Sequence, residues 1–215
     1  MKKSFTLIEL VFVVVVLGIL SAVIIPRTST NRLREAAIQV VSHIRYTQHL
    51  AMIDDNYNVN DSKWYKKRWQ IIFGTSASTE NKVAYTIFAD SATSATATNP
   101  NISEMAIDPM NKNKYLSGGY SGSLDTSEVN ATKKMNLGIS YDVSSVVFGG
   151  GCGSSTVRIT FDHLGRPIKD PLTTYTKAYK DGKLIETACT ITLNSASETS
   201  VVISVEPETG YAHIL

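Results

Sequence analysis

Seven residues, Lys63 to Trp69, run Lys-Trp-Tyr-Lys-Lys-Arg-Trp and interleave cations with flat aromatic faces. Cationic side chains reach phosphates while aromatic rings stack on bases, which is the composition of a single-strand or nonspecific nucleic-acid platform. On that chemistry Lys63, Trp64, Lys66, Lys67 and Arg68 are the candidate DNA contacts. Strand alternation produces the same interleaving, with Lys and Arg discouraging edge-to-edge pairing and Trp69 turned inward. On the motif alone the edge strand is the preferred interpretation.

Other polar clusters fall short of a site. Asp54, Asn56 and Asn58 alternate like the start of a calcium loop, but Val59 stands where the sixth position needs glycine and Tyr65 where the twelfth needs glutamate. The four histidines, His43, His49, His163 and His213, have no metal-ligand spacing, and helix-face polarity and turn positions account for them. Gly149 to Ser154 carries the glycines of a phosphate loop without the Lys-Ser/Thr pair that follows in such loops, so a loop tied down at Cys152 is expected instead. No nucleophile elbow or ordered triad is visible, so neither catalysis nor a cofactor is expected.

The chain has 215 residues, 43% hydrophobic and 19% charged, enough for one ordinary globular domain and an appendage. Its formal charge of +2 equals the contribution of Lys2 and Lys3, and the remainder is balanced. Bulk attraction to nucleic acid is therefore absent from everything after residue 3.

The sharpest feature is a carboxylate, Glu9, inside the apolar run Met1 to Arg27, MKKSFTLIELVFVVVVLGILSAVIIPR. Sixteen uncharged residues follow from Leu10 to Ile25, and Phe5 to Ile8 lengthen the stretch toward what a membrane helix needs. With Lys2 and Lys3 in front, the positive-inside rule puts the N-terminus in the cytoplasm and exports the rest. A conventional signal peptide fits poorly, because Glu9 interrupts the basic start and Val23-Ile24-Ile25 follow the small pair Ser21-Ala22. A plain signal anchor leaves Glu9 as unexplained cost. Export implies an oxidising compartment, and Cys152 and Cys189 are then expected to pair.

The stretch Lys2 to Leu10, KKSFTLIEL, resembles the class III signal of type IV pilins and type II secretion pseudopilins. The resemblance implies that a prepilin peptidase cuts between Ser4 and Phe5 and methylates the new amino group of Phe5. The family usually has glycine before the cut, and Ser4 departs from it with a residue that is still small. It also implies that Glu9 pairs with the amino terminus of a neighbouring subunit during assembly. Gly18 and Pro26 stand where pilins carry a glycine and a proline bounding a stretch that loosens in filaments. Independently of any family, Pro26 removes a donor and crowds the carbonyl of Ala22, so a kink is expected.

Beyond Pro26, the residues Leu33, Ala37, Val40, Ile44 and Ala51 recur at steps of three, four and seven, predicting an amphipathic continuation with Ser29, Thr30 or Asn31 at its start. One helix from Phe5 to about Ile53 would span roughly 70 Å. After the turn-forming stretch 54–61 the period becomes that of strands: RWQIIFG, KVAYTIFAD, NLGISYDVSSVVF, STVRITFD, ACTITLN and SVVISVE. DHLGRP and EPETGY read as tight turns with Gly165 and Gly210 at positive φ, and SATSATATNPNIS as a surface loop. The Ile159 to Arg166 strand and turn and the Pro207 to Tyr211 close resemble GspH/FimT-like minor pseudopilins.

The expected fold is α+β, with a long N-terminal helix, half membrane-embedded and half amphipathic, packed on a mostly antiparallel sheet. The expected divisions are a cleaved leader 1–4, a membrane or filament-core helix 5–27, an amphipathic helix 28–53 and an exported β-rich domain 54–215. The resemblance implies a non-enzymatic subunit of a type IV pilus or type II secretion pseudopilus, anchored once in the inner membrane with its C-terminal domain outside. Its partners would be the prepilin peptidase, other subunits and an inner-membrane assembly platform. The alternative is a pilus-associated receptor that binds DNA during uptake.

Overall fold

A computed structural model describes residues 6–24, 31–54, 56–90, 100–120, 123–153, 157–169, 171–179 and 182–215. The chain divides into two units, Met1–Asn31 and Arg32–Leu215. In the first, α1 (Leu7–Ile24) is apolar on every face. Its valines are weak helix formers, so the start depends on a cap: Thr6 and Glu9 make a reciprocal pair across the first turn.

In the second unit, α2 (Arg32–Ile53) buries Leu33, Ala36, Ala37, Val40, Val41, Ile44, Thr47 and Ala51 along one stripe. The five positions expected from the periodicity are all among them. Its first turn is held by Glu198, whose carboxylate accepts from the Leu33 N–H at 3.2 Å.

The remaining regular elements are β1 (Trp69–Gly74), β2 (Ala84–Ala89), β3 (Ile107–Asp108), β4 (Asn111–Tyr115), α3 (Leu137–Tyr141), β5 (Val143–Gly150), β6 (Arg158–Phe161), β7 (Pro167–Ile168), β8 (Cys189–Ser195), β9 (Val201–Val205) and β10 (Ala212–Ile214). They form a sheet in the order β2-β1-β6-β7, a second in the order β10-β9-β8-β5, and the hairpin β3-β4. All ladders within these sheets are antiparallel. The α2 stripe, Ile71 and Phe73 of β1, Ile159 and Phe161 of β6, and Ile191 and Ile203 of the second sheet share one core, so α2 serves both four-stranded sheets.

Three expectations are corrected here. The described structure is mostly β with three separate helices, not one long N-terminal helix lying on a sheet. α1 ends at Ile24 and α2 begins at Arg32. A proline both lacks a donor and steers the residue before it away from helix, and Pro26 lies between the two in sequence.

Localisation is corrected as well. Among the described residues no helix is long and apolar enough to cross a membrane. At 1.5 Å per residue α1 measures about 27 Å, against a hydrocarbon core of about 30 Å. The single-pass inner-membrane placement, the membrane-embedded half-helix and the membrane and pilin descriptions attached to them therefore have no support in this structure.

The stretch expected as one strand, NLGISYDVSSVVF, is the third. It is α3 followed by β5, because the Asn136 side chain caps α3 by accepting from the Ile139 N–H at 3.1 Å and Asp142, at φ 59°, ends it. The 91–99 part of the expected surface loop lies outside the described residues.

Candidate functional site

α1 presents twelve large apolar side chains from Leu7 to Leu20, none of them buried. Phe12 is 69% exposed and Val14 61%, and two residues apart they lie on nearly opposite sides of the helix. An ordinary surface helix hides an apolar stripe and shows a polar one, whereas this one shows only the small Ser21 beyond its first turn. A Cβ added at Gly18 would meet nothing within 4 Å, so no contact inside the unit requires glycine there.

Glu9 is the single charge on α1. Its Oε2 accepts from the Thr6 N–H at 2.9 Å and from the Thr6 hydroxyl at 2.8 Å. The Glu9 N–H points back at the same hydroxyl, 3.4 Å away. The carboxylate is thus satisfied within its own first turn while remaining at the surface, where a cation from outside has access to its other oxygen. Three expected positions, Ser4 and Phe5 at the cleavage point and Pro26 at the kink, lie outside the described residues.

The basic and aromatic segment does not form an edge strand. Trp64–Lys66 is a short 3-10 helix, and β1, which begins at Trp69, is flanked on both sides by β2 and β6. Trp69 donates its indole N–H to Asp54 at 2.8 Å, so this ring is held at the C-terminal end of α2. Nor do the cations form one outward patch. Lys66 is buried and donates to the Thr173 carbonyl at 3.4 Å. Arg68 is buried and donates to the Ala178 carbonyl at 3.1 Å. Lys67 pairs with Asp61 at 2.8 Å, and only Lys63 is fully at the surface.

Cys152 and Cys189 are bonded to each other, both buried, with Cα atoms 4.9 Å apart. The bond joins the turn after β5 to the first residue of β8, two strands that also pair directly. Gly151 fits there because a Cβ would collide with the Thr187 carbonyl.

Sequence reasoning placed His43 on the polar side of the helix. It is instead half-buried, with Nδ1 2.7 Å from the Tyr85 hydroxyl. Burial lowers its pKa to about 4, opposed in part by the Asp108 charge. The network runs on through Gln39, which donates to the Tyr85 hydroxyl at 2.8 Å and accepts from the Tyr141 hydroxyl at 2.8 Å. Donor roles then close only if Tyr85 donates to His43, which makes the ring the neutral Nε2–H tautomer. Burial also raises the Tyr85 and Tyr141 hydroxyl pKa values. This is a satisfied core network, not a reactive pair.

Among the described residues no group of three or more His, Cys, Asp or Glu is placed to hold a metal. Comparison with protein-family models, with curated proteins and with solved structures gives no match, so the assignment of function rests on the residues themselves.

Proposed function

We propose that this chain is a subunit of a filament of the type IV pilus or type II secretion pseudopilus kind, joined to its neighbours through α1. The observation that carries the proposal is the exposure of apolar side chains on every face of that helix. Burying half of the twelve against neighbouring helices would contribute roughly 10–20 kcal/mol gross. That is comparable to or above the ~4–15 kcal/mol lost in association, so a helix of this composition suffices to hold a subunit in place.

Glu9 then sets the register. A carboxylate drawn into a dry helix bundle is costly without a cation, and the cheapest new cation is an amino group made by cutting the chain before Phe5. Each subunit's Glu9 would take the Phe5 amine of a neighbour, so assembly waits on processing by a prepilin peptidase. The placement of Lys66, Lys67 and Arg68 against carbonyls and Asp61 gives the DNA-receptor alternative no comparable support.

Mass spectrometry of the chain isolated from its native source is the test. The expected N-terminal residue is a methylated Phe5. Native material that retained Met1 to Ser4 would remove the cation on which the register depends and overturn this mechanism.

A further inference from the structure

A cavity of about 380 Å³ opens beside β7, lined by the apolar and aromatic side chains of Ile168, Tyr175, Tyr179 and Leu184, by the cations Arg68, Arg166 and Lys183, and by the carboxylates Asp162 and Glu186. The two arginines differ in a way that matters. Arg166 is spent: its Nε and Nη2 both lie 2.8 Å from Asp162 Oδ2. The other oxygen of that carboxylate accepts from the Leu164 N–H at 3.0 Å and the Arg166 N–H at 2.9 Å. Asp162 is therefore saturated by its own turn and has no geometry left for a second guanidinium.

Arg68 is only 8% exposed, yet among the described residues its guanidinium makes one hydrogen bond, to the Ala178 carbonyl, and no ion pair. Beyond that it has the Trp64 ring, 6.0 Å away, and the more distant pull of the Asp162 charge. Burial lowers its pKa, the sign of a cation paid for poorly by its surroundings. A desolvated guanidinium normally faces a carboxylate or phosphate through two parallel N–H groups. Among the described residues the carboxylates lining the cavity are Asp162, already taken by Arg166, and Glu186, and neither makes a hydrogen bond or ion pair with Arg68.

We propose that this cavity binds a small organic carboxylate, with the carboxylate on Arg68 and an apolar or aromatic body between Ile168, Leu184 and the two tyrosines. The walls exclude a bare inorganic anion as the natural occupant, because the apolar lining would be left wet. The volume lies at the small end of ligand pockets and suits a body of one or two rings. Lys183, whose Nζ lies 5.6 Å from the centre of the Tyr175 ring, and Glu186 also line the cavity, so its three cations and two carboxylates leave a net charge of +1. The site belongs wholly to the second unit and does not depend on the assembly role of α1.

The test is calorimetric titration of the full-length chain with benzoate, benzamide and inorganic phosphate. Saturable benzoate binding is expected, with benzamide and phosphate each about tenfold weaker or more, since each lacks one half of the recognition. Arg68→Gln is expected to weaken benzoate about tenfold. Should Arg68→Gln fail to fold, Leu184→Trp serves in its place: it fills the cavity with the guanidinium intact and is expected to abolish benzoate binding. Equal affinity for benzoate and benzamide, preference for phosphate, no saturation by benzoate, or benzoate binding undiminished in either variant would each overturn the site.

Discussion

Oε2 of Glu9 lies 2.9 Å from the backbone nitrogen of Thr6, three residues earlier, and closes the first turn of α1 on itself. The carboxylate therefore has two separable functions, a cap within the helix and a charge toward neighbours. Glutamine serves the cap as well as glutamate does but carries no charge. Glu9→Gln is expected to leave helix content by circular dichroism unchanged while abolishing recovery of the chain in sheared filaments. Glu9→Ala is expected to lose both. Filaments of normal yield from Glu9→Gln would show that the charge is dispensable.

The hydrogen bond between Tyr85 and His43 predicts an acid-sensitive core. The folded pKa of His43 is about 4, below the usual ~6.5 of the unfolded chain. Both states carry the neutral ring above about pH 6.5, so its contribution is complete there. As pH falls from 6.5 to 4, the unfolded chain takes up a proton that the folded chain refuses, and stability drops by up to roughly 3 kcal/mol. Urea midpoints measured at pH 7 and pH 4.5 should differ, and His43→Gln should shrink that difference. An unchanged pH slope in His43→Gln would place the sensitivity in other groups.

How far the sequence carried is clearest in α2 and in the strands. The α2 stripe and the RWQIIFG, KVAYTIFAD, STVRITFD, ACTITLN and SVVISVE segments were legible because each has several residues of one period. α3 has five residues, too few for a period, and its signal was the Asn136 cap and the left-handed Asp142. β7 and β10, of two and three residues, exist only because Phe161 and Val205 offer partners. The fate of Lys66 and Arg68 was hidden for a different reason. Their carbonyl partners, on Thr173 and Ala178, are more than a hundred residues away, and no local pattern marks a long basic side chain as buried.

That burial makes a prediction about the basic segment. Lys67 and Asp61 form a partly exposed pair, worth about 0–1 kcal/mol, so Lys67→Ala should barely move the melting temperature. Lys66→Ala removes a buried stem and its contact with the Thr173 carbonyl, and is expected to cost about 1–3 kcal/mol. If DNA affinity and its salt dependence fell in Lys67→Ala while stability held, the segment would be a nucleic-acid contact after all.

The bond between Cys152 and Cys189 closes a loop with a sequence separation of 37. Chain-entropy accounting gives such a loop about 3–4 kcal/mol, taken from the unfolded state. Because β5 and β8 also pair along their length, the folded strands should survive reduction. A reduced and alkylation-blocked chain, or the Cys152→Ala/Cys189→Ala variant, is expected to keep its far-ultraviolet spectrum and melt at least several degrees lower. Identical melting of the oxidised and reduced chains would show the bond to be thermodynamically idle.

Gln48 of α2 donates from one amide nitrogen to two turns at once, to the Gly165 carbonyl at 2.8 Å and the Thr209 carbonyl at 2.6 Å. Those are the DHLGRP and EPETGY turns, whose glycines sit at φ 79° and 63°. A Cβ on Gly210 would fall 2.5 Å from the Gly165 carbonyl oxygen, so the turns meet only because one of them lacks a side chain. Each turn was legible in sequence; their joining through a helix residue more than a hundred positions away was not. Gln48→Leu keeps the bulk but strands two carbonyls, at an expected cost of about 1–3 kcal/mol. Gln48→Glu should cost more, because a carboxylate would face two acceptors. Gly210→Ala should be at least as harmful as Gln48→Leu, since it adds the left-handed strain of about 1–2 kcal/mol to the collision. Denaturant midpoints order the three variants, and a Gln48→Glu chain as stable as the parent would show that the two turns do not need the amide to hold them together.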